Sequence, residues 1–115
     1  MNQQLVILQK TYDLMLYVFP LLSKFPKNQR FTLAQHIQNN LLDMAAHITR
    51  ANMSRGRDRW LELREINACL EVLRLNTRLS MELGFLPRKQ WEQISIRTNE
   101  IGKLLGGWMK TRPGA

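Results

Sequence analysis

A chain of 115 residues, 44% of them hydrophobic, carries enough apolar material for one modest core and does not have the composition of a disordered polymer. With 17 Lys and Arg against 9 Asp and Glu, its formal charge of +8 points to an anionic partner, nucleic acid ahead of an acidic protein or a membrane surface. The single cysteine, Cys69, excludes an internal disulfide or a cysteine-paired metal site and suits a reducing cytoplasm; the start MNQQLVILQK has no basic leader, and the apolar stretches look too short to cross a bilayer.

Residues 3–24 read as a first helix. Leu5, Leu8, Tyr12, Met15, Phe19 and Leu22 recur at helical spacing, beside a second stripe of Ile7, Leu14, Val18, Leu21 and Phe25. Pro20 removes a backbone donor and is expected to kink this helix. It shares a polar line with Lys10, Asp13, Tyr17 and Lys24, expected to meet solvent or a partner. Pro26 and Asn28 mark a turn. A second helix starts at about Gln29 or Thr32 and runs to Met53, with a core stripe of Leu33, Ile37, Leu41, Met44 and Ile48. Ser54 to Asp58 breaks the pattern, and Asp58 is placed to cap a third helix from Arg59 to about Leu83. Gly84 suits its C-terminal stop, and Pro87 the start of a fourth helix ending near Lys110. Residues 1–110 are thus expected to form one all-α domain, an antiparallel up-down four-helix bundle, with 111–115 a flexible tail.

Two helices carry more than a minimal bundle requires. On the third, Leu63, Ile66, Leu70, Leu73 and Met81 form a core face, and Leu61, Ala68, Val72, Leu75, Leu79 and Leu83 form a second apolar face. Arg64, Asn67, Glu71, Arg74 and Arg78 line a polar strip between them. A second apolar face suggests a subunit interface, unless a broad core takes in both. On the fourth helix, Trp91, Ile94, Ile101, Leu105 and Trp108 share one face beside a ridge of small residues, Ser95, Gly102 and Gly106, which suits close approach of another helix.

The most enzyme-like set is His36, Asn40, Asp43, His47 and Arg50 along the second helix. Asp43 and His47 could share a metal ion, but His36 lies seven residues from Asp43 and the chain has no third histidine. No phosphate-cradling loop, HExxH motif or nucleophile triad spacing occurs, so neither catalysis nor a cofactor is expected. The arginines say more. Arg50, Arg55, Arg57 and Arg59 crowd one inter-helix connection, and Arg64, Arg74 and Arg78 continue along the next helix. At the other end Lys24, Lys27, Arg30, Arg88 and Lys89 are expected to converge, since both turns belong to one end of an antiparallel bundle. Guanidinium forks suit phosphate, with Glu71–Arg74 and Arg78–Glu82 as helix-surface pairs the lesser alternative.

The order Tyr12, Tyr17, Pro20, then Phe25-Pro26-Lys27 and Arg30, then Leu63-Arg64-Glu65, Leu73-Arg74 and Arg78, and finally Glu100-Ile101-Gly102-Lys103-Leu104-Leu105-Gly106-Gly107-Trp108 resembles the Avd family, the accessory variability determinants of diversity-generating retroelements. The resemblance covers essentially the whole chain. It implies a four-helix protomer in a ring-like homopentamer that partners a reverse transcriptase and its template RNA without a catalytic centre of its own. Arg74 and Arg78 match the family's basic pattern on the third helix and inherit a binding role, Arg64 less directly. The related ribosomal-RNA intervening-sequence proteins share the features of the first two helices. Where those carry an Asn-Ile-Ala-Glu-Gly run, this chain has Ile48-Thr49-Arg50-Ala51-Asn52, which favours the Avd reading.

Overall fold

The helical periodicity becomes four helices in a computed structural model that describes residues 3–110. They are α1 (Gln3–Leu22), α2 (Leu33–Asn52), α3 (Gly56–Glu82) and α4 (Arg88–Met109), with one 3-10 turn at Lys27–Gln29. Among the described residues there is no strand; the expected tail, 111–115, lies outside them. Each helix packs on two neighbours in the cycle α1–α2–α3–α4–α1, with no diagonal approach of backbones, giving a rod of 47 × 24 × 20 Å. The α1–α2 and α3–α4 connections meet at one end, where the Phe25 and Phe85 rings lie 5.9 Å apart.

The core is a stack of inward side chains: Ile7, Leu14 and Val18 from α1, Ile37, Leu41, Met44 and Ile48 from α2, Leu63, Ile66, Leu70 and Leu73 from α3, and Ile94, Ile101, Leu105 and Trp108 from α4. It chooses between the two stripes of α1 and corrects expectations on α2 and α3. On α1 the second stripe supplies Ile7, Leu14 and Val18 to the core, and the first supplies Leu22 alone. Leu5 and Tyr12 of the first stripe are half-exposed, because that stripe is turned towards the outer edge of α2. Ala34 takes the buried place expected of Leu33, and Thr77 and Ser80 occupy the inner face of α3 where Met81 was expected. Those hydroxyls are satisfied within their own helix, Thr77 Oγ1 donating to the Leu73 carbonyl at 2.8 Å and Ser80 Oγ to that of Asn76 at 2.7 Å.

The polar line of α1 does not simply face water. Lys10 bridges to Glu100 at 3.0 Å and Arg97 lies 4.7 Å over the Tyr17 ring, so Lys10 and Tyr17 belong to the α1–α4 seam. The helix runs through Pro20 and stops two residues later, Pro20 itself being exposed. By length and mean hydropathy Gln4–Leu22 does reach what a membrane-crossing helix needs, contrary to expectation, with Lys10 and Asp13 its only charged residues. In the bundle its Ile7–Val18 face is packed into the core.

Helix α3 starts earlier than expected. Gly56, at φ +57°, turns the chain into the helix, Arg55 precedes it in extended backbone, and Asp58 falls inside the first turn instead of capping it. There it still favours the helix through the N-terminal dipole. The other end behaves as expected. Gly84 has φ +82°, its N–H donates to the Met81 carbonyl at 3.0 Å, and the Phe85 N–H donates to the Ser80 carbonyl at 2.9 Å, a complete Schellman cap. Gly84→Ala forces an L side chain into the left-handed region and should cost about 1–2 kcal/mol. Gly106, in helical backbone with open space around it, should instead gain up to about 1 kcal/mol on becoming alanine. Urea midpoints at unchanged slope measure both.

Candidate nucleic-acid interface

Helix α3 presents four sides: one to the core, one to α2, one to α4 and one outward. Of the expected enzyme-like strip of α2, Asn40, His47 and Arg50 reach α3 across the α2–α3 seam, while His36 and Asp43 are exposed. His47 Nδ1 lies 2.7 Å from Glu62 Oε2, Arg50 Nε lies 3.5 Å from Glu62 Oε1, and the Asn40 amide donates to the Cys69 carbonyl at 2.8 Å. His47 therefore meets a carboxylate of the neighbouring helix, not Asp43. Among the described residues no three His, Cys, Asp or Glu side chains are grouped to hold a metal ion. Burial, then the carboxylates of Asp43 and Glu65, push the Cys69 thiol up, which disfavours a reactive thiolate.

The α4 side of α3 holds the basic strip. Arg74 crosses the seam: it pairs with Glu71, and its Nη2 lies 3.5 Å from the Thr98 carbonyl and 3.4 Å from Asn99 Oδ1. Gly102 makes room for it, since a Cβ there would stand 2.7 Å from Arg74 Nη2. The small-residue ridge thus admits a guanidinium at Gly102, while Gly106 has nothing within 4 Å of such a Cβ. Arg78 pairs with Glu82 at 3.0 Å with its side chain 69% exposed. Arg64 is exposed and its side chain holds no ion pair or hydrogen bond among the described residues. From α4, exposed Lys103 joins Asn67, Arg74 and Asn99 around a shallow cavity of about 370 Å³. Lys103 stands beside Gly102 in the chain, and that neighbour is the sequence signal for its place at this seam.

At the α2–α3 connection the three arginines divide. Arg55 and Arg57 are exposed with unpartnered side chains. Arg59 folds inward, its Nε donating to the Ala51 carbonyl at 3.1 Å and its guanidinium lying 6.0 Å over the Trp108 ring. It ties the end of α2 to the end of α4. Of the six expected contact residues, Arg59 and Arg74 hold helices together, Arg78 sits in a surface pair, and Arg55, Arg57 and Arg64 point free charge outward.

This division is measurable. Arg59→Ala should lower stability by about 1–2 kcal/mol, losing a charged hydrogen bond and a ring contact. Alanine at Arg55, Arg57 or Arg64 should stay within about 0.5 kcal/mol of the parent. Equal urea midpoints for all four variants would contradict the assignment.

The comparisons with known proteins fit this architecture. No curated protein matches the chain. A crystal structure from Bacteroides thetaiotaomicron VPI-5482, described as a protein with unknown function from the S23 ribosomal protein family, is similar with a TM-score of 0.86 over 96% of this chain and 100% of that one. At 21% identity it shares the fold. In sequence, residues 5–112 match the family described as bAvd-like, a span that takes in α2, α3, α4, nearly all of α1 and every arginine discussed above. The chain belongs to the bAvd-like family.

Proposed function

We propose that this protein is a non-catalytic accessory factor of a diversity-generating retroelement, acting in the cytoplasm as a homo-oligomer that binds template RNA and the reverse transcriptase during mutagenic cDNA synthesis. The observation that carries this reading is the line of outward charge along α3 in a bAvd-like chain of net charge +8. Arg57, Arg64 and Arg78 are exposed along one flank and Lys103 adds to it from α4. Arg57 and Arg78 are separated by about 31 Å of helix, long enough to follow several phosphates. Arg74 holds the flank to α4 and keeps about a third of its side chain available. The alternative reading, a ribosomal-RNA intervening-sequence protein, implies the same four-helix architecture; the family match over residues 5–112 favours the accessory factor.

The subunit contact uses the outward face of α3, where Leu61, Val72, Leu75, Leu79 and Leu83 are each 42–65% exposed. A different apolar surface, a groove of about 630 Å³ lined by Leu5, Leu8, Tyr12, Met15 and Ala45, lies between α1 and α2. A ridge entering the groove of the next copy is a heterologous contact, which generates rings when the rotation closes. Five copies is the number the Avd resemblance implies.

Two experiments test the reading. Arg64→Ala/Arg78→Ala should weaken RNA binding and flatten the dependence of log affinity on log salt by up to about 0.7–0.9 per lost phosphate contact, with helicity unchanged; unaltered RNA and reverse-transcriptase affinity would remove this flank from the function. Light scattering of the parent should give a mass several times 13.6 kDa, and Leu75→Glu should reduce it. A parent that is monomeric at tens of micromolar refutes the assembly.

A further inference from the structure

The bundle end remote from Arg55 and Arg57 carries a second basic site that the proposed flank does not use. Neither connection there contains an Asp or Glu: residues 19–31 and 83–91 have none, while Lys24, Lys27, Arg30, Arg88 and Lys89 crowd them. Contact between Phe25 and Phe85 holds the two connections side by side. The side chains of Lys24, Lys27, Arg30 and Lys89 are exposed and unpartnered among the described residues, except that Lys27 and Arg30 also border a cavity of about 450 Å³. Its lining is mixed: half-buried Phe19 offers an aromatic ring beside Leu22 and Ala34, Phe25 is buried against Phe85, and Ser23 and Gln38 supply a hydroxyl and a side-chain amide.

One half-buried aromatic ring, an amide able both to donate and accept, and two cations at the edge make a specific combination. Simple phosphate needs no aromatic ring, and an apolar side chain needs no cations. A nucleobase has a π-face for the ring and a polar edge for an amide, and its flanking phosphates answer the lysine and arginine. A base in a duplex keeps both faces stacked and does not reach such a cavity. An acidic peptide would satisfy the charges, but five cations with no intervening carboxylate match a regularly charged backbone better.

We infer that this cavity seats one unstacked base of a single-stranded nucleic acid, with Lys27 and Arg30 on the adjoining phosphates. The inference rests on the nucleic-acid reading above and adds a strand preference to it. The 3-10 turn Lys27–Gln29 places both cations on the same short connection, its Arg30 N–H donating to the Lys27 carbonyl at 3.2 Å.

The test uses the intact protein and three labelled probes: a short single-stranded RNA, the same-length strand built of abasic residues, and the corresponding duplex, followed by fluorescence anisotropy. The parent should bind the base-bearing strand at least about fivefold more tightly than the abasic one, as one base–aromatic stack provides. Phe19→Leu keeps apolar volume and removes the π-face; it should abolish that preference without changing duplex affinity. Lys27→Ala/Arg30→Ala, both at exposed positions, should weaken the base-bearing and abasic strands alike. Equal affinity of the parent for the base-bearing and abasic strands overturns the inference with no variant needed. So does an unchanged preference in Phe19→Leu, or displacement of the base-bearing strand by an acidic aromatic peptide but not by a second RNA strand. If Phe19→Leu is silent while Arg64→Ala/Arg78→Ala weakens RNA binding, the pocket falls and the accessory reading stands. If the parent binds none of the three probes, both fall.

Discussion

A four-helix bundle has one core, and each helix can turn only one face into it. Helix α3 carries two apolar faces, so Leu63, Ile66, Leu70 and Leu73 go inward and Leu61, Val72, Leu75, Leu79 and Leu83 are left in water. That single geometric constraint arranges the rest of the molecule. It places the polar strip of α3 on one flank, because 3.6 residues per turn leaves only the sides between two opposed apolar faces. It also leaves the chain with more apolar surface than its own packing can use, which supports the proposed subunit contact.

The basic residues do two different jobs, and the difference follows from what each side chain can reach. Arg59 and Arg74 find carbonyl oxygens of neighbouring helices and cover Trp108 and Gly102. They are part of the seams between helices. Arg55, Arg57 and Arg64 reach no acceptor and remain as charge in solvent. With nearly twice as many cations as anions, the chain cannot neutralise its surface internally, so unpaired charge accumulates at the two ends and on the α3–α4 flank. Such charge gains most from a polyanion, whose counterions are released on contact. The α2–α3 seam illustrates the opposite case: His47 and Arg50 share Glu62 and contribute to the join between helices.

Amino-acid order by itself determined the helix count, the turns and the all-α class, because periodicity, prolines and glycines act within a few residues of where they stand. Gly84 is the clearest instance, a C-terminal stop that works through local backbone geometry alone. The apolar stripes of α2 and most of α4 were equally legible, each helix having one dominant face. Tertiary structure decided what local pattern leaves degenerate. On α1 two stripes compete, and only the position of α2 and α4 selects Ile7–Val18 for the core. On α3 the inner face ends in Thr77 and Ser80, small polar residues that no hydrophobic count finds, made acceptable by hydrogen bonds to their own helix. Whether an arginine is a strut or a free charge was also beyond the sequence: Arg74 and Arg78 stand four residues apart on the same strip, yet Arg74 meets Thr98 and Asn99 across the seam while Arg78 meets Glu82 on its own helix. That choice depends on an acceptor 24 or 25 residues away in the chain, brought close only when α4 packs against α3.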